Sequence, residues 1–256
     1  MIQLDRLTKR YGDVVAVQDL TLTVKAGELL VLLGGSGSGK TTTLKMINRL
    51  IEPNAGSVRL NGTDISSLPP HDLRRRIGYA FQQVGLFPHM TIAENVAVTP
   101  TLLGWPPKRV RQRVDELLEL VELDPSQLRD RSPDELSGGQ QQRVGVARAL
   151  AASPTVMLLD EPFGALDPLT RQRLQGSFLR IRRNVGLTAV FVTHDMVEAL
   201  VLGDRIAVMN EGRLVQIGTP HVLLTEPSDD YVRQLMSAPR RQAAVVDRLI
   251  GREWTS

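Results

Sequence analysis

Leu29-Leu-Val-Leu-Leu33, followed by Gly34-Gly-Ser-Gly-Ser-Gly-Lys40-Thr41-Thr42, is the stretch on which the reading of this chain turns. Five apolar residues in a row read as a short strand buried on both faces. The glycines that follow let the chain turn tightly, and from Lys40 the pattern becomes helical through Met46 and Arg49. Strand, glycine-rich loop and helix in this order satisfy G-x-x-x-x-G-K-[ST] between Gly34 and Thr41.

That arrangement suits phosphate oxygens. Residues without a Cβ let backbone N–H groups wrap the phosphates, and the helix start adds the positive end of a dipole. Gly34, Gly35, Ser36, Gly37, Ser38 and Gly39 would form the cradle, with Thr42 in the first helical turn. Lys40 would place a point charge on β- and γ-phosphate oxygens, and Thr41 would give its hydroxyl to Mg²⁺. The competing reading is a flexible Gly/Ser loop that happens to precede a helix; the apolar strand, the spacing and the Lys-Thr ending all oppose it.

A chain of 256 residues has room for one large domain or two modest ones, and 42% hydrophobic residues can build a real core. Aromatics at 4% argue against a stacking platform for single strands, and a net charge of +3 is too small to imply nucleic-acid binding. With no cysteine, disulfides and thiolate metal sites are excluded. Met1-Ile-Gln-Leu-Asp-Arg6 does not read as a secretory leader. No apolar run approaches the roughly 20 residues that cross a bilayer, so any membrane role is expected to run through a partner.

Upstream of the loop, residues 2–7 and 20–24 alternate as strands, with turns at 11–13 and at Ala26-Gly27. Pro53-Asn54-Ala55-Gly56 reads as a turn, residues 57–60 with Asn61-Gly62 as a hairpin, and 77–81 as a short strand. Thr91 then caps a helix over 91–98, with Glu94 completing a capping box, and Pro100 and Pro106-Pro107 are expected to break it. Residues 109–121 are amphipathic, with Val110, Val114, Leu117, Leu118 and Val121 on one face, and 140–152 form a further helix. The region from about 84 to 152 therefore reads as all-helical and inserted into an α/β core. Strands at 156–160, 187–193, 205–210 and 214–217 alternate with helices at 168–185 and 195–202, which implies a largely parallel sheet covered on both faces. A short tail, 237–256, reads as carrying an amphipathic turn at 245–250.

A second set of chemical groups lies in this frame. Val156-Met-Leu-Leu-Asp160 is a buried strand ending in acid, where a phosphate-loop protein holds Mg²⁺. Glu161, one residue on, is placed to polarise a water in line with the γ-phosphate. Ser137-Gly138-Gly139 opens another helix without a lysine. Spacing leaves two readings of it: an ordinary glycine turn, or a seat for a phosphate held by another subunit.

The run Leu136-Ser-Gly-Gly-Gln-Gln-Gln-Arg-Val144 resembles the signature motif of ATP-binding cassette (ABC) ATPases, and with the loop and Asp160-Glu161 in this order the resemblance covers residues 1 to about 236. It implies an ABC-type P-loop NTPase of the α/β class: a RecA-like, mainly parallel core sheet, an antiparallel β-subdomain and an inserted helical subdomain. It also implies ATP and Mg²⁺ as cofactors and a head-to-tail dimer with two ATPs at the interface, each held by Lys40 of one subunit and by Ser137, Gly138, Gly139 and Gln140 of the other. Tyr11 resembles the residue that stacks on adenine. Gln82 resembles the glutamine that reaches Mg²⁺ and the attacking water. Ala165-Leu166-Asp167 looks like the loop that crosses the dimer interface, with Asp167 at the nucleotide, and His194 like the switch histidine at the γ-phosphate. Gly35 departs from the pattern, standing where many relatives have proline.

A narrower resemblance rests on Lys45-Met-Ile-Asn-Arg-Leu-Ile-Glu-Pro53 and Phe81-Gln-Gln-Val-Gly-Leu-Phe-Pro-His-Met-Thr91. Both are similar to ATPase subunits of osmoprotectant importers, the glycine betaine, choline, carnitine and proline group. The implied partners are a second ATPase subunit, transmembrane permease subunits and, indirectly, a substrate-binding protein, with no nucleic acid. The implied place is the cytoplasmic face of the inner or plasma membrane. Gly85-Leu-Phe-Pro-His-Met90 offers an apolar groove for the permease's cytoplasmic helix. Many members of the group continue into paired regulatory cystathionine-β-synthase domains, which the short tail is not expected to supply. A soluble ABC protein of translation or repair would carry two cassettes or a long coiled coil. A non-hydrolysing scaffold would have lost Lys40, Asp160, Glu161 or the signature.

Overall fold

The structure, a computed structural model, describes residues 1–249 other than Gln83. The first half runs β1 (Ile2–Tyr11), β2 (Val14–Val24), β3 (Leu29–Leu33), α1 (Lys40–Ile47), β4 (Ala55–Leu60), β5 (Thr63–Asp64), α2 (Pro70–Arg76), β6 (Ile77–Ala80), α3 (Ile92–Leu102), α4 (Pro107–Leu120) and α5 (Pro125–Leu128). The second half runs α6 (Gly138–Leu150), β7 (Val156–Asp160), α7 (Pro168–Val185), β8 (Thr188–Thr193), α8 (Met196–Leu202), β9 (Arg205–Asn210), β10 (Arg213–Gly218), α9 (Pro220–Thr225) and α10 (Asp230–Leu249).

Two sheets result. The larger has the order β10-β9-β3-β8-β7-β6, and all its pairings are parallel except β9 with β10. The smaller, β2-β1-β4-β5, is antiparallel. Between β6 and β7 the chain forms α3 to α6, so the helical insertion expected from the sequence is present. The fold is α/β with a mainly parallel core sheet, an antiparallel sheet and helices.

β3 shows why five apolar residues were needed. Every residue of it is solvent-inaccessible. Leu29, Val31 and Leu33 enter the core shared with α3, α4, α6, α7 and α8, whereas Leu30 and Leu32 enter the core shared with the antiparallel sheet and α1. A strand with alternating faces and a core on each side cannot carry a polar residue on either.

Two local expectations are corrected. Pro100 does not end the helix; it lies inside α3, where it is buried. The stop comes at Gly104, whose φ of +71 is left-handed. There Trp105 N donates to Pro100 O (3.1 Å) and Gly104 N to Thr101 O (2.9 Å), satisfying the last carbonyls. Ala55 and Gly56, read as a turn, instead begin β4, Ala55 pairing with Thr8. Helix α10 passes position 236 and continues to Leu249; of the expected turn at 245–250, Ile250 lies outside the described residues.

Candidate functional site

The parallel strands deliver their C-terminal ends to one edge. Leu33 pairs with Thr193 and Val208, and Asp160 with Val192. The segments leaving β3, β7, β8 and β6 therefore bring the glycine loop, Glu161, His194 and Gln82 to neighbouring places, where open parallel sheets bind ligands.

The loop is glycine-rich for two separate reasons. At Gly34 a Cβ would lie 2.2 Å from the Met209 carbonyl oxygen, and at Gly39, with φ +94, it would lie 2.4 Å from that of Ala16. No side chain fits there. Gly37 has open space but a φ of +77, whereas Gly35 has open space and no left-handed φ. Lys40 Nζ donates to the carbonyls of Gly34 (2.8 Å) and Gly35 (2.7 Å) and to Ser38 Oγ (3.0 Å). Ser38 and Lys40 are buried; Ser36 is exposed. Burial pushes the Lys40 ammonium below its ordinary value, opposed by the charges of Glu161 and Asp160. A cation held on loop carbonyls in a desolvated cradle is poised to exchange them for anionic oxygens. Helix α1 starts at Lys40 with no side-chain cap, and Thr43 N is its first amide to bond back, to Gly39 O at 2.9 Å. Its earlier N–H groups have no intrahelical acceptor and suit an anion.

Beside the loop, Thr41 Oγ1 donates to Asp160 Oδ1 at 2.9 Å. Asp160 is 3% exposed, and burial raises its carboxyl above the usual range, opposed by the Thr41 hydrogen bond. Among the described residues no group of three or more His, Cys, Asp or Glu is placed to hold a metal ion. One hydroxyl and one carboxylate, with remaining positions left for waters and phosphate oxygens, fit Mg²⁺ better than a cation that needs an all-protein cage.

Glu161 occupies a left-handed backbone position, φ +48, with its N–H donating to Val192 O at 3.0 Å. Its Oε1 lies 3.0 Å from His194 Nδ1, and its Oε2 accepts from Gln82 Nε2 at 3.3 Å. Gln82 and His194 are exposed. A carboxylate aimed by an imidazole and an amide, next to a phosphate cradle, is an arrangement that can take a proton from water.

Sequence reasoning missed Gln142. It is buried, its Nε2 donates to Glu161 O at 2.9 Å, and its Oε1 accepts from Ala165 N at 2.9 Å. Its sequence signal was its place in the Leu136–Val144 run, which did not set it apart from the neighbouring glutamines.

The remaining expected residues make no hydrogen bond to the cradle among the described residues. Ser137 Oγ accepts from Gln140 N (3.3 Å) and Ser137 N donates to Gln140 Oε1 (2.9 Å), a capping box that starts α6. A Cβ at Gly138 would meet nothing within 4 Å. Asp167 caps α7, accepting from Thr170 N at 3.0 Å, and that bond holds its carboxyl below the ordinary range. Among the described residues no hydrogen bond links 137–140 to 34–42. Tyr11 ends β1 half exposed, with Lys9 Nζ 5.2 Å from its ring centre.

The expected apolar groove is partly realised. Of that stretch Gly85 and Phe87 line a cleft of about 280 Å³ with Arg74, Tyr79, Phe81 and Arg148; Leu86, Pro88, His89 and Met90 do not. Asn95 folds that loop back onto α3, donating to Phe87 O (3.1 Å) and Met90 O (3.2 Å) and accepting from Phe87 N (2.8 Å).

Comparison with known proteins agrees with this geometry. The family model described as ABC transporter matches residues 17–164. The chain is 54% identical to the glycine betaine uptake system ATP-binding protein YehX of Escherichia coli, over 91% of this chain and 76% of that one. It is 50% identical to the glycine betaine/carnitine/choline transport ATP-binding protein OpuCA of Bacillus subtilis, over 94% of this chain; it spans 63% of that protein's length. It is also 50% identical to the spermidine/putrescine import ATP-binding protein PotA of Acidothermus cellulolyticus, over 95% of this chain and 63% of that one. Among solved structures, the dimeric post-hydrolysis state of the ATP-binding cassette MJ0796 bound to ADP and Pi superposes with a TM-score of 0.81 at 34% identity, covering 86% of this chain and 99% of that one.

Proposed function

The chain belongs to the ABC transporter family, and on that premise we propose that it is the ATP-hydrolysing subunit of a membrane importer for quaternary-amine osmoprotectants such as glycine betaine. The observation that carries the hydrolytic half is Glu161, aimed between His194 and Gln82 beside the Lys40 cradle and the Thr41–Asp160 pair. The names of YehX and OpuCA support the cargo.

In this reading Lys40 and the free amides at the start of α1 bind the β- and γ-phosphates of ATP, while Tyr11 stacks on the adenine. Thr41, Asp160 and Gln82 hold Mg²⁺, which when bound neutralises charge on the phosphate oxygens. Glu161 takes the proton of the attacking water, worth about 10²–10⁴ in rate for general-base help. His194 keeps the carboxylate aimed and contacts the γ-phosphate. Ser137, Gly138, Gly139, Gln140 and Asp167 complete the site of a second subunit in a head-to-tail dimer, a role consistent with their having no hydrogen bond to the cradle of their own chain among the described residues.

The organisation we propose is an ATPase domain over 1–236, with its helical subdomain at about 84–152, followed by the 237–256 tail. No described helix is long and apolar enough to cross a membrane. In this reading, permease subunits hold the chain at the cytoplasmic face, docking in the cleft that Phe87 and Arg148 line, and a substrate-binding protein feeds the permease; the names of the transport ATP-binding relatives support it. A second cargo, a polyamine or other polar solute, is favoured by the identity to PotA.

Uptake of labelled glycine betaine in source cells carrying Glu161→Gln, with choline, carnitine, proline and spermidine as competitors, tests the cargo. Uptake that is lost with Glu161→Gln and that, in wild-type cells, choline or carnitine competes is the expected result. Uptake that persists in a strain with no other betaine carrier would contradict it.

A further inference from the structure

Glu161 sits in a left-handed conformation that is strained for a non-glycine residue and persists only where its surroundings hold it. Its N–H is held by Val192 O. Its carbonyl is held twice, by Gly164 N at 3.2 Å and by Gln142 Nε2 at 2.9 Å. The other end of the same amide accepts Ala165 N, so one buried side chain pins both ends of the turn between β7 and the Asp167 cap of α7. Gln142 stands on α6, five residues after Ser137. A helix is stiff over that length, about 7.5 Å at its usual rise, so the seat at the start of α6 and the aim of Glu161 move as one body.

We propose that Gln142 is a positioning residue for hydrolysis: it fixes the Glu161 carboxylate and the 165–167 loop to helix α6. The role rests on the reading of Glu161 as the proton acceptor. In a head-to-tail dimer it joins the two nucleotide sites, because α6 of one subunit meets the ATP of the other while its Gln142 holds the Glu161 of its own.

Two variants of the full chain separate this from packing. Gln142→Met keeps the volume and removes both hydrogen bonds. Gln142→Glu keeps an acceptor for Ala165 N–H and loses the donor to Glu161 O. The readouts are kcat for ATP hydrolysis, ATP affinity by fluorescence, and hydrogen exchange at the Ala165 amide. With Gln142→Met, kcat falls on the order of 10- to 100-fold, ATP affinity is unchanged and the Ala165 amide exchanges faster. With Gln142→Glu, the Ala165 amide stays protected while kcat still falls. Wild-type kcat in Gln142→Met, or affinity falling in step with kcat, would overturn the proposal. Glu161→Gln in the same assay keeps the two ideas apart: if it hydrolyses at the wild-type rate the base assignment fails, whereas if it is inactive and Gln142→Met is normal only the positioning role fails.

Discussion

Thr41 Oγ1 donates a 2.9 Å hydrogen bond to Asp160 Oδ1, joining the end of the glycine loop to the end of β7 across the middle of the sheet. The contact joins two of the side chains that we propose hold Mg²⁺, and it involves a buried carboxylate whose proton affinity is raised by desolvation.

That carboxylate gives a stability prediction with a defined sign. In the folded chain Asp160 keeps its proton at pH values where the unfolded chain, near 3.8, has released it. The folded state is therefore favoured most below that value, and its advantage shrinks as pH rises through the folded-state value. At neutral pH the ionised carboxylate is a net cost. Asp160→Asn, which still accepts from Thr41, should raise the melting temperature at pH 7–8 without Mg²⁺ or nucleotide. The gain should vanish near pH 3.5, and Mg²⁺-dependent hydrolysis should be lost. A lower melting temperature at pH 7–8 would contradict the burial argument.

Two glycines of one loop should respond oppositely. Gly39→Ala forces a Cβ onto the Ala16 carbonyl at a φ of +94, so it should destabilise the chain by at least about 1–3 kcal/mol and abolish ATP binding. Gly35→Ala meets open space and should change stability by less than about 0.5 kcal/mol and leave binding intact. Thermal melts and nucleotide titration of the pair decide it; equal losses would mean that the loop geometry is wrong.

Much of this loop was legible because steric and chemical demands coincide in adjacent residues: β3 must be apolar on both faces, Gly34 and Gly39 must lack a Cβ, and Lys40 must follow. Asp160 was legible for the same reason, as an acid ending an apolar strand. Other features depended on tertiary contacts that no local pattern carries. Pro100 stays helical because Gly104, not proline, supplies the left-handed stop. Helix α2 went unread because Pro70-His-Asp-Leu-Arg-Arg-Arg76 buries only Leu73. Gln142 looks like any polar residue of a helical run until the turn after β7 folds against it. The seat at 137–140 was read through its resemblance to the ABC signature, since spacing leaves a plain turn as an equal reading.

Gly138 offers a test of the second subunit. Its Cβ position is empty within the chain, so Gly138→Leu should leave the isolated fold within about 0.5 kcal/mol of wild type. It should block the close approach of a partner's nucleotide, abolishing ATP-driven dimerisation in a Glu161→Gln background, as read by size-exclusion chromatography with ATP. Unimpaired dimerisation would remove the 137–140 segment from the interface.

The central claim, that this edge of the sheet hydrolyses ATP with Glu161 as the proton acceptor, is met most directly by single-turnover hydrolysis with purified full-length chain, wild type against Glu161→Gln, alongside ATP affinity for each. The account predicts equal affinity and a rate lower by about 10²–10⁴ in the variant. Wild-type hydrolysis by Glu161→Gln would contradict it.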